Sequence, residues 1–314
     1  RTTRPATSNI NALGGEDVAN ATIVPVDAEG RIIIHTFTTS HMVVDVAGFF
    51  RSAPGAVAAG RFESAAVERV ADTRFPSSPS NDYTRGPSGA GEIVNVPISG
   101  VAGVPGTGVD SVVVIVSGLS PPGPGKGWLA AFAGGTALPP ASNVNVNGNT
   151  DVRVNTAVVP LGVDGSIDVY LFDVANVIVE VVGWFTDGSA AASTDGRFRQ
   201  LNPTREVDTR GNIGFGPLGD GETGTLNPAS VPDTATAVAQ NLTFAPAGGW
   251  GYLTAFDEPP APVVSNLNAT ASGQVRAALA LTPLSASGSE RILAASPITN
   301  GDHQVLIDIF GYFE

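Results

Sequence analysis

The sequence contains no cysteine, one methionine and three histidines in 314 residues. Without cysteine there is no disulfide framework, no thiolate metal site and no thiol nucleophile. Charge is scarce as well: charged residues make up 14% of the chain, against roughly 25% in an average soluble protein. The net charge of −13 leaves no basic stripe for nucleic acid and disfavours anionic membrane surfaces. No apolar run approaches the roughly 20 residues of a membrane-spanning helix. There is no HExxH, no P-loop, no GxSxG and no Ser-His-Asp set, so no catalytic residue, cofactor or metal is assigned. The acidic pairs Glu16-Asp17 and Asp220-Gly221-Glu222 lack EF-hand spacing and are expected to be solvated loop charges.

What the chain does contain is glycine (38), proline (24) and short runs of valine, isoleucine, threonine and alanine. Short apolar or alternating runs between turn dipeptides such as Glu29-Gly30 and Asp164-Gly165 predict many strands and no helix of useful length. Strands are expected at 21–26, 31–36, 42–49, 111–117, 127–132, 157–160, 167–172 and 176–184, and in the last third at 237–244, 251–256, 277–282, 290–295 and 304–312. The fold class expected is all-β: tandem antiparallel β-sandwiches, with a barrel or trefoil as the alternative.

The chain repeats itself. Three segments end alike, in VVDVAGFF (43–50), VEVVGWF (179–185) and LIDIFGYF (306–313). Ser-Asn-x-Asn stands upstream of each, at Asn9, Asn143 and Asn266, and glycine recurs at Gly48, Gly183 and Gly311. Two segments also open alike, GRFESAAVERVADTR (60–74) and GRFRQLNPTREVDTR (196–210). A period of about 130 residues is too long for a solenoid, so each unit is a whole domain. The units divide the chain into 1–52, 53–187 and 188–314, and the first matches only the C-terminal half of the others.

The ordered set DTR, GYLTAF, SNLN and VDVxGYF resembles a repeat of exported surface proteins from actinobacteria and other environmental bacteria. The resemblance spans essentially the whole chain. Glu180 departs from it, standing where the family has Asp, and so does Ala278, which takes the place of Asn20 and Asn155. It implies exposure outside the cell, often as a non-catalytic appendage, and no single ligand.

Several repeated polar residues call for structural partners. Asp45, Glu180 and Asp308 lie in apolar strands, where an unpaired carboxylate is costly. The arginines of Asp72-Thr-Arg74 and Asp208-Thr-Arg210 are the candidate partners, Arg74 for Glu180 and Arg210 for Asp308; the alternative is that each bonds its own Asp. The Ser-Asn-x-Asn asparagines read as turn-forming amides, with a sugar contact as the minority alternative. The repeated glycines read as a bulge or a close approach of backbones. Trp128 and Trp250 adjoin glycines near loops and are the candidate ligand contacts.

These readings predict a non-enzymatic extracellular structural protein, a fibre, sheath or spacer that self-associates into an oligomer or filament by completing its half unit. A glycan- or cell-wall-binding adhesin is the alternative, and an accessory region of a secreted hydrolase is the third.

Overall fold

The computed structural model describes residues 7–75, 91–271, 273–296 and 302–314. Sixteen strands and no α-helix occur among them. The first eight are β1 (Phe62–Asp72), β2 (Glu92–Pro97), β3 (Val109–Leu119), β4 (Gly127–Ala133), β5 (Val144–Val146), β6 (Val152–Pro160), β7 (Ser166–Phe172) and β8 (Asn176–Thr186). They form two four-stranded antiparallel sheets, ordered β1-β8-β3-β6 and β2-β7-β4-β5. The second eight are β9 (Phe198–Asp208), β10 (Glu222–Leu226), β11 (Ala237–Ala245), β12 (Gly251–Phe256), β13 (Leu267–Ala269), β14 (Arg276–Pro283), β15 (Glu290–Ala295) and β16 (Gln304–Phe313). They repeat the plan as β9-β16-β11-β14 and β10-β15-β12-β13. The fold is thus two antiparallel β-sandwiches in tandem.

The strand order has a consequence for each half of a unit. The first four strands of a sandwich come from the front half of the repeat, before Ser-Asn-x-Asn, and the last four from the back half. In both sheets the two kinds alternate strictly, so every hydrogen-bonded pair joins a front strand to a back strand. Among the described residues no strand is bonded to another of its own half.

Each sandwich encloses its own core. In β3 the residues Val112, Val114 and Val116 face that core, while Val113 and Ile115 face the neighbouring sandwich. In β11, Val238 and Leu242 face inward, and Ala237 and Ala239 face the neighbour. The continuous apolar run VVVIV follows from this, because a strand covered on both faces has no polar side. The two β3-type sheets therefore pack against each other by their outer faces. Thr156 Oγ1 of β6 donates to the Leu279 carbonyl of β14 at 2.7 Å across that junction.

Bulges at Val182 and Phe310, just before the repeated glycines, shift the strand phase by one residue. Before the bulge Val181 and Ile309 face their own cores; after it Trp184 and Tyr312 do so, and Phe185 and Phe313 swing to the junction. The glycine itself admits the front strand. A Cβ on Gly183 would lie 2.8 Å from the Phe62 ring, and one on Gly311 would overlap the Phe198 ring and lie 2.9 Å from the Arg199 carbonyl oxygen.

The second core holds one carboxyl group. Glu290 is fully buried, and the Gln240 Nε2 donates to its Oε2 at 2.6 Å from the facing sheet. Burial pushes the Glu290 pKa up to about 8, against the pull of the Gln240 and Thr282 hydrogen bonds. The folded chain therefore holds this proton more tightly than the unfolded chain does. Its stability is full below the ordinary carboxylate pKa and falls as pH rises to about 8. Glu290→Gln is expected to remove this term, so that between pH 5 and 8 wild type loses on the order of 4 kcal/mol relative to the variant. Urea denaturation of both at several pH values measures it; parallel pH profiles would contradict the assignment.

Candidate assembly interface

Strands were expected at 21–26, 31–36 and 42–49, yet residues 7–56 contain none. The reason is the alternation of halves. In sequence these residues match the back half of the repeat, and in the two sandwiches back strands pair only with front strands. With no front half beside them, their backbone groups have no ladder to join. Side chains that the complete units bury are correspondingly open: Val46 is 84% exposed where its equivalent Val181 is fully buried.

The half unit nevertheless keeps the path of a back half. Ser8 Oγ donates to Asn11 Oδ1 at 3.1 Å, as Ser142 does to Asn145 at 3.2 Å. Asn20 Nδ2 donates to the Asn9 carbonyl at 2.6 Å, as Asn155 does to Asn143 at 2.9 Å. The turn at Asp27–Arg31, with Gly30 N on the Asp27 carbonyl, matches those closed by Gly165 and Gly288.

Three sets of contacts hold the half unit against both sandwiches. The first is polar and cyclic. Ala21 N donates to Asn155 Oδ1 of the first sandwich at 3.3 Å, and Leu279 N of the second donates to Asn20 Oδ1 at 2.8 Å. Asn20 also reaches Asn241 Oδ1 at 3.2 Å, while Asn241 Nδ2 donates to the Ser8 carbonyl at 2.8 Å. The second set is ionic. Glu16 Oε1 accepts from Arg153 at 3.1 Å and Arg276 at 2.5 Å. Burial tends to raise the Glu16 carboxyl, but the Leu13 amide and the two guanidiniums together hold it below the usual range. Glu16 is therefore a junction residue and not the solvated loop charge expected. The third set is aromatic. Phe50, Phe185 and Phe313 hold the same position in the three units, and their ring centroids form a triangle of 5.7, 6.4 and 6.1 Å.

The carboxylates within the last strands find other arginines than those expected. Asp308 is paired bidentately by Arg205 at 2.8 and 3.0 Å, and Arg69 donates twice to the single Oε1 of Glu180, at 2.6 and 3.1 Å. Arg74 and Arg210 instead clasp Asp72 and Asp208, two residues before them, with bonds of 2.7–2.9 Å. Each network runs carboxylate, arginine, aspartate, arginine, because Arg69 also reaches Asp72 and Arg205 also reaches Asp208. Burial pushes the Asp308 and Glu180 carboxyls up, opposed chiefly by those guanidiniums. The signal was present in the repeat, which reads R-x-x-D-T-R at both Arg69 and Arg205. The Thr of the motif ties the first strand to the last: Val177 N and Val305 N donate to Thr73 and Thr209 Oγ1, each at 3.0 Å. Asp45 is exposed and makes no ion pair among the described residues.

The remaining candidates are placed as follows. Asn143 and Asn266 each accept a backbone N–H of the fourth strand, from Ala131 and Ala255 at 2.7 Å, so their amides extend the sheet; Asn9 is exposed. A Cβ on Gly48 would meet nothing within 4 Å. Trp250 is 53% exposed and has no ring partner among the described residues. Trp128 lies against Tyr170 and Phe172 at centroid distances of 5.1 and 6.1 Å on the outer face of the β2-β7-β4-β5 sheet. Among the described residues no cluster of three His, Asp or Glu could hold a metal, and no helix is long and apolar enough to cross a membrane.

No protein-family model matches the chain, and no curated protein matches it. Among solved structures it is similar to the N-terminal CBM22-1-CBM22-2 tandem domain of Xyn10C from Paenibacillus barcinonensis, at 14% identity, 82% of this chain, 100% of that chain and a TM-score of 0.20.

Replacing Arg205 by Met leaves Asp308 buried without its cation and is expected to cost about 3–5 kcal/mol. Arg210→Met, at a side chain 56% exposed, is expected to cost under about 1 kcal/mol. Chemical denaturation of the two variants separates these outcomes, and equal losses would reverse the assignment.

Proposed function

We propose that the chain is a non-enzymatic structural element of the cell exterior, an array of β-sandwiches that links to a neighbour through its half unit. One observation supports this reading above the others: every strand pair of a sandwich joins a front half to a back half. A back half alone is therefore a set of open strand edges with an apolar face, including Phe37 at 96% and Val43 at 87% exposure. Open edges of this kind pair with complementary strands from another polypeptide, and main-chain hydrogen bonds supply the affinity. The resemblance to exported surface repeats supports a position outside the cell, where whole-domain repeats can act as spacers.

The test is a mixture of the full chain with a polypeptide of residues 53–264, which carries one complete unit and one surplus front half. Light scattering and electron microscopy are expected to show end-to-end complexes. Deletion of residues 1–52 from the full chain is expected to abolish them. Particles that stay separate with residues 1–52 present would reject the linking role.

A second reading rests on the outer face of the first sandwich. Trp128, Tyr170 and Phe172 form an aromatic patch there with Ile93 beside it, Phe172 being 44% and Ile93 43% exposed. Flat aromatic surface with nearby polar groups suits the apolar face of a sugar ring. On this reading the chain is retained on an insoluble polysaccharide, and Trp128→Ala lowers retention at least tenfold while leaving the thermal midpoint within a few degrees. Equal retention of both forms would remove it.

A further inference from the structure

Counting halves identifies what the half unit can take up. Residues 1–314 contain two front halves, within 53–187 and 188–314, and three back halves. Identical copies of this segment carry the same excess, so exchange among them fills one back half only by emptying another. The front half that completes residues 1–50 must come from polypeptide outside residues 1–314.

We propose that the half unit is the receptor for a front-half segment of this same repeat type, carrying Gly-Arg-Phe and R-x-x-D-T-R, and that its seating closes a pseudo-threefold ring of three sandwiches. The proposal rests on the assembly reading above and names the partner at that site. The ring is already two-thirds defined. Phe62 of the first sandwich meets Phe313 of the second at 4.7 Å, and Phe198 of the second stacks on Phe50 of the half unit at 4.6 Å. The next contact in the cycle is a Gly-Arg-Phe ring of the third front half on Phe185. Within the complete units the same phenylalanine also meets its own triangle member, Phe62 on Phe185 at 5.5 Å and Phe198 on Phe313 at 5.3 Å. The incoming ring therefore lies between Phe50 and Phe185, over Gly48.

The space is prepared for it. Gly183 and Gly311 are glycines because Phe62 and Phe198 occupy the position of a Cβ, whereas Gly48 has open space there. Two polar groups of the half unit also await partners that the complete units define. Asp45 stands at the position of Glu180 and Asp308, which the arginines of R-x-x-D-T-R pair. Asn9 stands at the position of Asn143 and Asn266, which accept a backbone amide from the fourth strand of the front half. The incoming segment supplies the arginine to Asp45 and the amide to Asn9.

The experiment appends a copy of residues 53–141 ahead of Arg1 in the full chain and follows amide hydrogen exchange. Exchange across 18–50 is expected to slow at least 100-fold relative to the chain without the addition. Phe62→Ala made only in the appended copy is expected to reverse much of that protection. Gly48→Ala is expected to do the same in the extended protein and to leave exchange in the 1–314 chain unchanged. Exchange across 18–50 as fast as in the 1–314 chain would overturn the proposal, as would a Gly48→Ala effect of equal size in both proteins. Protection in the extended protein without complexes in the mixture experiment would retain the receptor and reject only the link between separate polypeptides.

Discussion

The hydrogen-bond ladder of each sandwich runs only between the two halves of its repeat. This constraint makes the domain an interleaved object, in which β8 lies between β1 and β3, and β7 between β2 and β4. Neither half can satisfy its backbone without the other, since a strand needs a neighbour and its neighbours always belong to the opposite half. Residues 1–314 hold an uneven number of halves, and one set of back-half residues forms no ladder within them. Residues 7–50 are that set. They are held in place by side-chain contacts from two flanking sandwiches and not by any ladder of their own.

The junction between units follows from a second local device. A bulge one residue before the repeated glycine changes which face the following side chains occupy. Without it, Phe185 and Phe313 would enter their own cores beside Val181 and Ile309. With it they leave the core and meet Phe50 and Phe62 at the junction, where aromatic pairs at these centroid distances add to the area buried. The glycine, the bulge and the aromatic are thus one unit of design. The glycine lets the front strand approach, and the bulge aims the ring at the neighbour.

Much of this was legible in the sequence, and what was missed has physical causes. The tandem antiparallel sandwiches and most strands of the two complete units could be read from repeats and apolar runs. Strands in 21–49 were over-read because β-propensity records fit to a paired, half-buried surface, and the partner strands lie in the other half of a repeat. Arg74 and Arg210 were named as the partners because they belong to the more visible motif; they bond their own aspartates, the stated alternative, and Arg69 and Arg205 were not read. Strand register decided otherwise, setting Arg69 opposite Glu180 and Arg205 opposite Asp308. Glu16 read as a loop charge because its partners, Arg153 and Arg276, lie more than a hundred residues away. The Trp128 patch needed the pairing of β4 with β7, since Trp128 and Phe172 become neighbours only across that ladder.

The three units also differ where a symmetric trimer of identical chains could not. At one position of the repeat stand Glu16, Asp151 and Gln274, and two residues later stand Val18, Arg153 and Arg276. Three copies of a carboxylate brought together on an axis would repel, and three buried guanidiniums would do the same. Here two carboxylates and two guanidiniums meet instead, with Arg153 bonded to Asp151 at 2.6 Å and both arginines on Glu16. The same holds for the amide cycle: Asn20 and Asn155 each accept a backbone N–H from a neighbour, while Ala278 takes the third place and Asn241 supplies an amide from the adjacent strand. Covalent tandem repetition allows each position around the axis to carry its own residue. The buried charges can then balance one another across the junction, and the half unit acquires a defined seat between the two sandwiches.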